Sequence, residues 1–281
     1  MTLSRRSFLQ QASLMTAGLA LANRTDAATV TKPGLQLYSL RDDMERDAKA
    51  TLQAVAKMGY KEIESYPGSK GFTWGMPSSA FQSFLKNEGL APISTHCGIE
   101  KDMPKTMDEA AAAGFKNIVV SWIGKEQRTT IDGFKKIAGQ FNEFGQMAKE
   151  RGMGFGYHNH DYPFIELEGQ VPYDVLLTNT DPKLVNYELD LFWVIEPGKD
   201  PIQYFQKYPG RFNMAHVKDR DPKNHKNSTV IGKGDLGLAS MMTAGAKAGV
   251  KHFIVEVEEY GSLTPTESVR QSLAGLKGVK Y

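Results

Sequence analysis

The sequence has almost no cysteine, little excess of charge of either sign and no long apolar run. Cys97 is the single cysteine among 281 residues, which excludes an intramolecular disulfide. The 34 lysine and arginine residues nearly balance 32 acidic residues, for a formal net charge of +2. This balance argues against a protein built mainly to grip nucleic acid. Hydrophobic residues make up 41% of the chain, which is enough for a sizeable core.

The first 27 residues have the layout of an export signal. Arg5 and Arg6 precede an uncharged stretch over 10–23, and no acidic residue precedes Asp26. That stretch is shorter than the about 20 apolar residues of a membrane span. The paired arginines before Phe8 resemble the twin-arginine signal of bacteria. We therefore expect residues 1–27 to be a twin-arginine signal peptide, with an ordinary amphipathic helix as the alternative.

Several expectations follow for the mature protein. Residues 1–27 hold three of the 34 cationic residues and one of the 32 acidic ones, so the remainder carries 31 of each. We expect a periplasmic or secreted protein whose partners are the twin-arginine export machinery and a small carbohydrate. We expect no nucleic-acid partner and no stable membrane anchor, and self-association is left open.

Residues 28–281 alternate between β-rich apolar runs and amphipathic runs. The predicted strands are 34–40, 60–66, 91–96, 117–123, 154–158, 185–190, 212–217 and 253–257. The predicted helices are 43–58, 77–87, 104–113, 130–151, 173–179, 201–208, 238–248 and 265–276. Four helices run into a glycine that predicts their end: Gly59, Gly114, Gly152 and Gly249.

Eight β-α units in about 250 residues predict a single (β/α)8 TIM barrel over 28–281. The alternative is a doubly wound open sheet, which usually shows a glycine fingerprint after its first strand. Here the first strand leads into Tyr38-Ser-Leu-Arg-Asp42 and lacks that fingerprint. A phosphate loop of the Gly-x-x-x-x-Gly-Lys-Ser/Thr type is also absent from the sequence. Phosphorylated substrates are therefore disfavoured.

Polar side chains gather at the predicted carboxyl ends of the strands, where TIM barrels carry their catalytic groups. Four of the six histidines fall there, on three strands, together with carboxylates of strands two, six and eight. Burying such groups together is costly unless they are paired or bind a cation. Imidazoles and carboxylates suit one divalent metal ion such as Mn, Fe, Co or Zn. The alternative is an ion-pair network with Lys218 and Arg220.

Alternation alone does not identify the functional member of each polar pair. Four pairs are two residues apart and so share a strand face: Glu62/Glu64, His158/His160, Glu188/Asp190 and Glu256/Glu258. Either member of a pair is a candidate ligand, and the other a candidate substrate contact.

The strand ends resemble the sugar isomerase/epimerase branch of the xylose-isomerase-like barrels. The most specific segments are Gly59-Tyr-Lys-Glu-Ile-Glu64, Tyr157-His-Asn-His-Asp161, Leu189-Asp-Leu-Phe-Trp193, Ala215-His-Val-Lys-Asp219 and Gly232-Lys-Gly-Asp-Leu236. The epimerases of that family hold one metal ion with Glu, Asp, His and Glu from strands five to eight. Matched by motif, the resemblance implies metal ligands His158, Asp190, His216 and Glu256, with Mn, Co, Zn, Fe or Mg as the ion.

One departure from the epimerase pattern changes the expected chemistry. His158 stands where the epimerases have a Glu, and a His-x-His strand end is similar to the inosose dehydratases. The epimerases use two metal-bound glutamates as bases on opposite faces of the substrate. Here Glu256 alone remains of that pair, so either His158 or His160 replaces the second base, or one base suffices.

The resemblance therefore implies a metal-dependent sugar isomerase or epimerase that removes a proton next to a carbonyl, with Glu256 as the base. The alternative is a dehydratase or β-eliminating lyase on keto-sugars or 3-keto-glycosides, in which His160 or Lys218 protonates the leaving group. The expected substrate-binding residues are Gln36, Glu64, His96, Trp193 and Arg220, the last in a mobile loop over 219–227. Two rivals are a nucleic-acid repair enzyme on the same barrel and a sugar-binding protein without catalysis.

Overall fold

Short buried strands alternate with longer helices throughout the part of the chain that the structure, a computed structural model, describes: residues 28–99 and 102–281. The barrel strands are β1 (Gly34–Gln36), β2 (Glu62–Ser65), β3 (Ala91–Cys97), β4 (Asn117–Val120), β5 (Gly154–His158), β6 (Val185–Asp190), β7 (Phe212–Val217) and β8 (His252–Val255). Each strand pairs in parallel with its neighbours in chain order, and β8 closes the ring onto β1. The predicted TIM barrel is confirmed.

The helices lie between the strands and cover the outside of the barrel. They are α1 (Arg41–Met58), α2 (Ser78–Glu88), α3 (Met103–Ala112), α4 (Ile131–Glu150), α5 (Pro172–Asn179), α6 (Leu191–Ile195), α7 (Pro201–Lys207), α8 (Leu238–Ala248) and α9 (Pro265–Gly278). All eight predicted helices are present. The short helix α6, which begins directly after Asp190, was not among the predictions.

The helix ends follow local sequence signals. Thr130 starts α4 by accepting a hydrogen bond from the Gly133 amide at 3.1 Å, and Thr264 starts α9 in the same way. The four glycines predicted to end helices all have positive φ, between 69° and 110°. Because side chains are strained in this region, glycine is the favoured residue there. These helix ends set where each following strand enters the barrel.

Strand β1 is shorter than predicted, because residues 37–40 turn into a 3₁₀ helix. The Gln36 side chain accepts a hydrogen bond from the Tyr38 amide at 3.0 Å and so supports the turn. The predicted strand over 34–40 is therefore wrong beyond Gln36. The turn leaves Tyr38 at the mouth of the barrel, where 41% of its surface is exposed.

The predicted mobile loop over 219–227 is the base of a small antiparallel hairpin, in which Asp219–Arg220 pairs with Ser228–Thr229. The Asp219 carboxylate accepts hydrogen bonds from four backbone amides, those of Arg220, Gly232, Gly234 and Leu236, at 2.9–3.1 Å. A Cβ at Gly234 would lie 2.1 Å from Asp219 Oδ1. The close approach of this loop to Asp219 therefore requires glycine.

Two polar layers lie inside the barrel, with an apolar plug of Ile93, Val119, Met214 and Ile254 between them. Ile254 is two residues from both His252 and Glu256, and alternate residues of a strand share a face. His252 therefore lies in the layer near the amino ends of the strands, and Glu256 lies near the carboxyl ends. Catalytic groups of this fold lie at the carboxyl ends.

The predicted signal peptide, residues 1–27, lies outside the described residues. Among the residues that the structure describes, no helix is long and apolar enough to cross a membrane.

Candidate metal centre and substrate cavity

The polar side chains predicted from the strand ends meet at the carboxyl end of the barrel. His158 and Asp190 end β5 and β6, His216 lies in β7, and Glu256 directly follows β8. All four are buried, with exposures between 0% and 6%. One donor atom from each residue lies within 4.8 Å of the others. The structure therefore brings together the four residues that the family resemblance implied as a ligand set.

His216 is the central residue of this cluster, because its two ring nitrogens face different carboxylates. Its Nδ1 lies 2.9 Å from Glu256 Oε2 and 3.7 Å from Asp190 Oδ2. Its Nε2 lies 2.6 Å from Glu64 Oε1 and 3.2 Å from Glu188 Oε2. Carboxylates on the far side of a ligating imidazole commonly orient it and raise its basicity. Glu64 is placed to orient His216 toward Asp190 and Glu256.

Glu64 is itself held by several polar neighbours. Gln36 Nε2 donates to its Oε1 at 2.7 Å, and Ser94 Oγ donates to its Oε2 at 2.5 Å. His96 Nε2 lies 3.0 Å from the same carboxylate. Gln36 and Glu64, which were predicted to bind substrate, are both 0% exposed and lie beneath the ligand set.

Glu188 is a site residue that the sequence analysis did not select. Its Oε2 lies 2.8 Å from His96 Nε2 and 3.1 Å from His158 Nδ1. Its Oε1 is buried and has no hydrogen-bond partner among the described residues. With His96, His158 and His216, Glu188 forms a second group of donors that could hold a metal ion. The spacing of Glu188 two residues before Asp190 was the available signal.

Lys218 lies against the outer edge of the cluster. Its ammonium is 2.9 Å from Asp190 Oδ2 and 2.7 Å from Glu256 Oε2, and it also contacts Glu258. Glu64, Glu188, Asp190 and Glu256 supply four buried carboxylates. Among the described residues, Lys218 is the one lysine or arginine that pairs with any of them, and it reaches two, Asp190 and Glu256. The other positive charge of the cluster lies on imidazoles: against the effect of burial, the neighbouring carboxylates raise the pKa of His216, and they raise the pKa of His96 to about 10. A divalent cation can take the place of these protons, because metal binding displaces them from its ligands.

The pKa values in the cluster are strongly shifted. Burial, with help from the Glu64 charge, raises the pKa of Glu188 to about 7. Burial also lowers the pKa of His158, which favours the neutral imidazole that a metal ion requires. For Glu256, burial is outweighed by Lys218 and His216, which lower its pKa and keep it ionised. Perturbed groups of this kind are common at catalytic sites.

A cavity of about 340 Å³ opens above the cluster at the mouth of the barrel. Its lining includes the polar side chains of His158, His160, Glu256 and Glu258 and the aromatic rings of Tyr38, Tyr66 and Trp122. His96, a predicted substrate contact, also lines the cavity. The volume is at the lower end of the about 300–1,000 Å³ typical of small-molecule pockets.

His160 lies among aromatic rings rather than among carboxylates. The ring centres of Trp122, Trp193 and Tyr162 lie 5.2, 5.9 and 6.3 Å from that of His160. Burial lowers its pKa to about 3, so the imidazole is neutral near pH 7. A neutral imidazole can donate a hydrogen bond with one nitrogen and accept with the other. His160 Nδ1 has no hydrogen-bond partner among the described residues.

Two other predicted substrate contacts are placed elsewhere. Arg220 Nε donates to Asp235 Oδ1 at 2.8 Å, and its NH2 group donates to Oδ2 at 3.2 Å. This ion pair holds the guanidinium on the hairpin rather than in the wall of the cavity. The Trp193 ring lies 5.5 Å from Lys218 Nζ, behind the cavity wall. The structure does not bring Arg220 or Trp193 into that wall.

The cluster of histidines and carboxylates lies at the carboxyl ends of eight parallel strands. This is where TIM-barrel enzymes carry their active sites. The model of the xylose isomerase-like TIM barrel family matches residues 52–279. The chain belongs to this family.

The similar proteins have different named reactions. The chain is 30% identical over 174 residues to an inosose dehydratase of Clostridium botulinum, covering 55% of this chain and 56% of that protein. The match thus spans about half the length of that relative. A crystal structure of a sugar phosphate isomerase/epimerase from Parabacteroides distasonis is 27% identical, with a TM-score of 0.78, over 91% of this chain and 99% of that one. The zinc-bound IOLI protein has a TM-score of 0.69 at 16% identity, over 87% of this chain and 96% of that one, and shares the fold.

Proposed function

We propose that this protein is a metal-dependent enzyme that removes a proton next to a carbonyl group of a sugar or keto-sugar. The observation that carries the proposal is the ligand set of His158, Asp190, His216 and Glu256 directly below the cavity. The named relatives, an inosose dehydratase and a sugar phosphate isomerase/epimerase, support a sugar substrate.

The donor set suits a divalent metal ion. Two imidazoles and two carboxylates fit Zn, Mn, Fe or Co, and Mg is a weaker match because it prefers oxygen ligands. The structurally similar IOLI protein was solved with a bound zinc atom, which agrees with a metal ion on this fold. When bound, such an ion supplies Lewis acidity toward adjacent carbonyl and hydroxyl oxygens of the substrate.

Side chains in and next to the cavity supply the general base and the proton donor of the reaction. Glu256 is ionised and lies in the cavity wall, so it is the general base that takes the proton from carbon. The Lys218 ammonium, 2.7 Å from Glu256, is the candidate donor of a proton to the substrate, and the neutral His160 can hydrogen-bond a substrate oxygen. In an isomerase or epimerase, the proton returns to carbon or the neighbouring oxygen, and the substrate keeps its composition.

Elimination is the second candidate, and a specific observation favours it. The ligand set has a histidine, His158, at the end of β5. Glu256 is therefore the one carboxylate of the set that lies in the cavity wall. A single base removes a proton from one face, which suffices when a hydroxyl or alkoxide then leaves. The dehydratase named among the relatives supports this outcome.

Metal content and isotope exchange test the proposal. We expect the purified protein to contain about one divalent ion per chain and, in D2O, to exchange the proton next to the carbonyl of a keto-sugar. Exchange with the mass otherwise retained indicates isomerisation or epimerisation, and exchange with loss of water or an aglycone indicates elimination. Absence of both stoichiometric metal and exchange across a panel of keto-sugars would contradict the proposal.

We also propose that residues 1–27 direct export to the periplasm through the twin-arginine route. The support is the sequence Ser4-Arg5-Arg6-Ser7-Phe8-Leu9 and the uncharged stretch behind it. Replacing Arg5 and Arg6 by lysine should retain the protein in the cytoplasm while leaving the barrel intact. Equal periplasmic amounts of both forms would contradict this route.

A further inference from the structure

A second pocket, of about 320 Å³, lies between the segments that follow β4 and β5. Among the described residues, none lines both this pocket and the cavity above the metal ligand set. Five of its eight lining residues are apolar or aromatic, including Tyr162 and Ile165. The other three are Lys125, Arg128 and Glu166. The pocket therefore joins an apolar lining to two cations and one anion.

The Arg128 guanidinium is held against two aromatic rings. Its central carbon lies 3.6 Å from the centre of the Tyr162 ring and 4.7 Å from that of the Trp122 ring. Tyr162 is itself fixed, because its hydroxyl accepts a hydrogen bond from the Ile123 amide at 3.2 Å. Contacts of this kind cover the faces of a guanidinium and leave the N–H groups at its edge available. Arg128 is thus preorganised to donate hydrogen bonds.

The N–H groups of Arg128 have no acceptor in the part of the chain that the structure describes, in either a hydrogen bond or an ion pair. The other arginines stacked on aromatic rings there behave differently. Arg41 donates to the Tyr260 hydroxyl at 2.6 Å, and Arg211 donates to Thr180 Oγ1 at 2.7 Å. The donors of Arg128 are therefore left to solvent or to a bound molecule.

The surroundings of Arg128 favour a ligand with an apolar body. Three large apolar side chains are highly exposed among the described residues, and two of them lie here: Ile165, at 57%, lines the pocket, and Trp122, at 46%, contacts Arg128. Exposed apolar surface of this kind commonly marks a binding site. A guanidinium presents paired N–H groups that match the two oxygens of a carboxylate.

We propose that this pocket is a binding site, separate from the metal centre, for a small organic carboxylate with an apolar body. The carboxylate pairs with Arg128, and the apolar body lies against Ile165 and its neighbours in the lining. The excess of two cations over one anion in the lining favours this charge. The site does not depend on the proposed function, because it requires neither a metal ion nor a sugar.

The test compares acids with amides of nearly the same shape. Calorimetry is performed on the purified full-length protein with hexanoate and hexanamide, with 4-phenylbutyrate and 4-phenylbutyramide, and with acetate as the charged group alone. We expect at least one acid to bind about tenfold more tightly than its amide, which is the effect of one hydrogen-bonded charge. Acetate should bind more weakly than that acid, because it lacks the apolar body.

Three variants locate the binding in the structure. Arg128→Gln should reduce the preference for the acid to less than about threefold. Ile165→Ala should weaken binding of acid and amide by the same factor. Arg46→Gln is the matched control, because it removes the same charge at an exposed arginine that pairs with Asp43 outside the pocket. Unchanged thermal melting shows that a variant is folded.

Three results would overturn the site. These are equal affinities within both acid–amide pairs, no measurable binding of any probe, and a preference for the acid that survives Arg128→Gln. The last result would place the carboxylate elsewhere, such as at the metal centre. Sedimentation covers self-association: a dimer that Ile165→Ala dissociates, without any preference for acids, would assign this surface to a second copy of the chain. Metal content and hydrogen exchange in D2O report the proposed function separately.

Discussion

The two ends of the barrel interior differ in how many carboxylates face one imidazole. At the amino end, His252 Nδ1 lies 2.8 Å from Glu62 Oε2, and one imidazole matches one carboxylate. At the carboxyl end, His216 alone lies within 4 Å of four carboxylates, those of Glu64, Glu188, Asp190 and Glu256.

The difference separates a structural pair from a binding site. A matched pair satisfies its own hydrogen bonds and requires nothing further. At the crowded end, Glu188 Oε1 has no hydrogen-bond partner among the described residues, and the four carboxylates depend on Lys218 and on protonated imidazoles for their counter-charge. Excess buried negative charge costs stability unless a cation offsets it. We therefore expect the carboxyl end to respond to metal ions and the amino end to be indifferent to them.

Replacing His216 by alanine should have the largest effect. Both of its ring nitrogens face carboxylates, and its loss removes one member of the ligand set. We expect metal content to fall below one tenth of the wild-type value and activity to fall more than 100-fold, beyond the about 10–100-fold cost of removing an outer partner. Metal analysis and isotope exchange measure both. His225→Ala, at a side chain that is 61% exposed, is the control. Full metal content in His216→Ala would show that the set is wrong.

Glu64→Gln should have an intermediate effect. Glu64 accepts a hydrogen bond from His216 behind the ligand set, so loss of its charge lowers the basicity of that imidazole. We expect the dissociation constant of the metal ion to rise about 10–100-fold, as measured by competition with a chelator. Glu62→Gln is a matched control on the same strand face at the other end of the barrel. If both variants weakened metal binding equally, the two ends would not differ as proposed.

His252→Ala should have the smallest effect, on stability alone. It leaves the Glu62 carboxylate, whose side chain is 6% exposed, without its imidazole partner. We expect the free energy of unfolding to fall by about 1 kcal/mol, at the low end for an unpaired buried group because His252 is partly exposed. Urea titration measures this change. A loss of metal content in this variant would contradict the separation of the two layers.

The sequence supports the fold more completely than the site. Eight alternations of strand and helix sufficed for the barrel, because each unit carries its own periodicity and helix-ending signals. The functional members of the polar pairs were harder to identify. The register shifts between Ile63 and Glu64 and between Tyr187 and Glu188. A bulge re-aims side chains in a way that simple alternation does not predict. Alternation placed Glu188 and Asp190 on one strand face, and the sequence left open which of the two is the ligand.

The sequence also does not show which segments that are distant in the chain contact each other. Arg220 was expected to reach the substrate, but Asp235, on the neighbouring loop, holds its guanidinium. Trp122 was one of three tryptophans with no distinguishing signal. Its exposure beside the cavity depends on how the loop after β4 leaves the barrel, which only the packed structure defines.

The loop that follows the hairpin after β7 has a consequence for the binding of anions. Its Gly232-Lys-Gly-Asp-Leu236 segment turns three backbone amides inward, an arrangement that in other proteins attracts phosphate groups. Here the Asp219 carboxylate already occupies that position, so the chain supplies its own internal anion. A phosphate group would find these three amides already occupied by a carboxylate of the same chain.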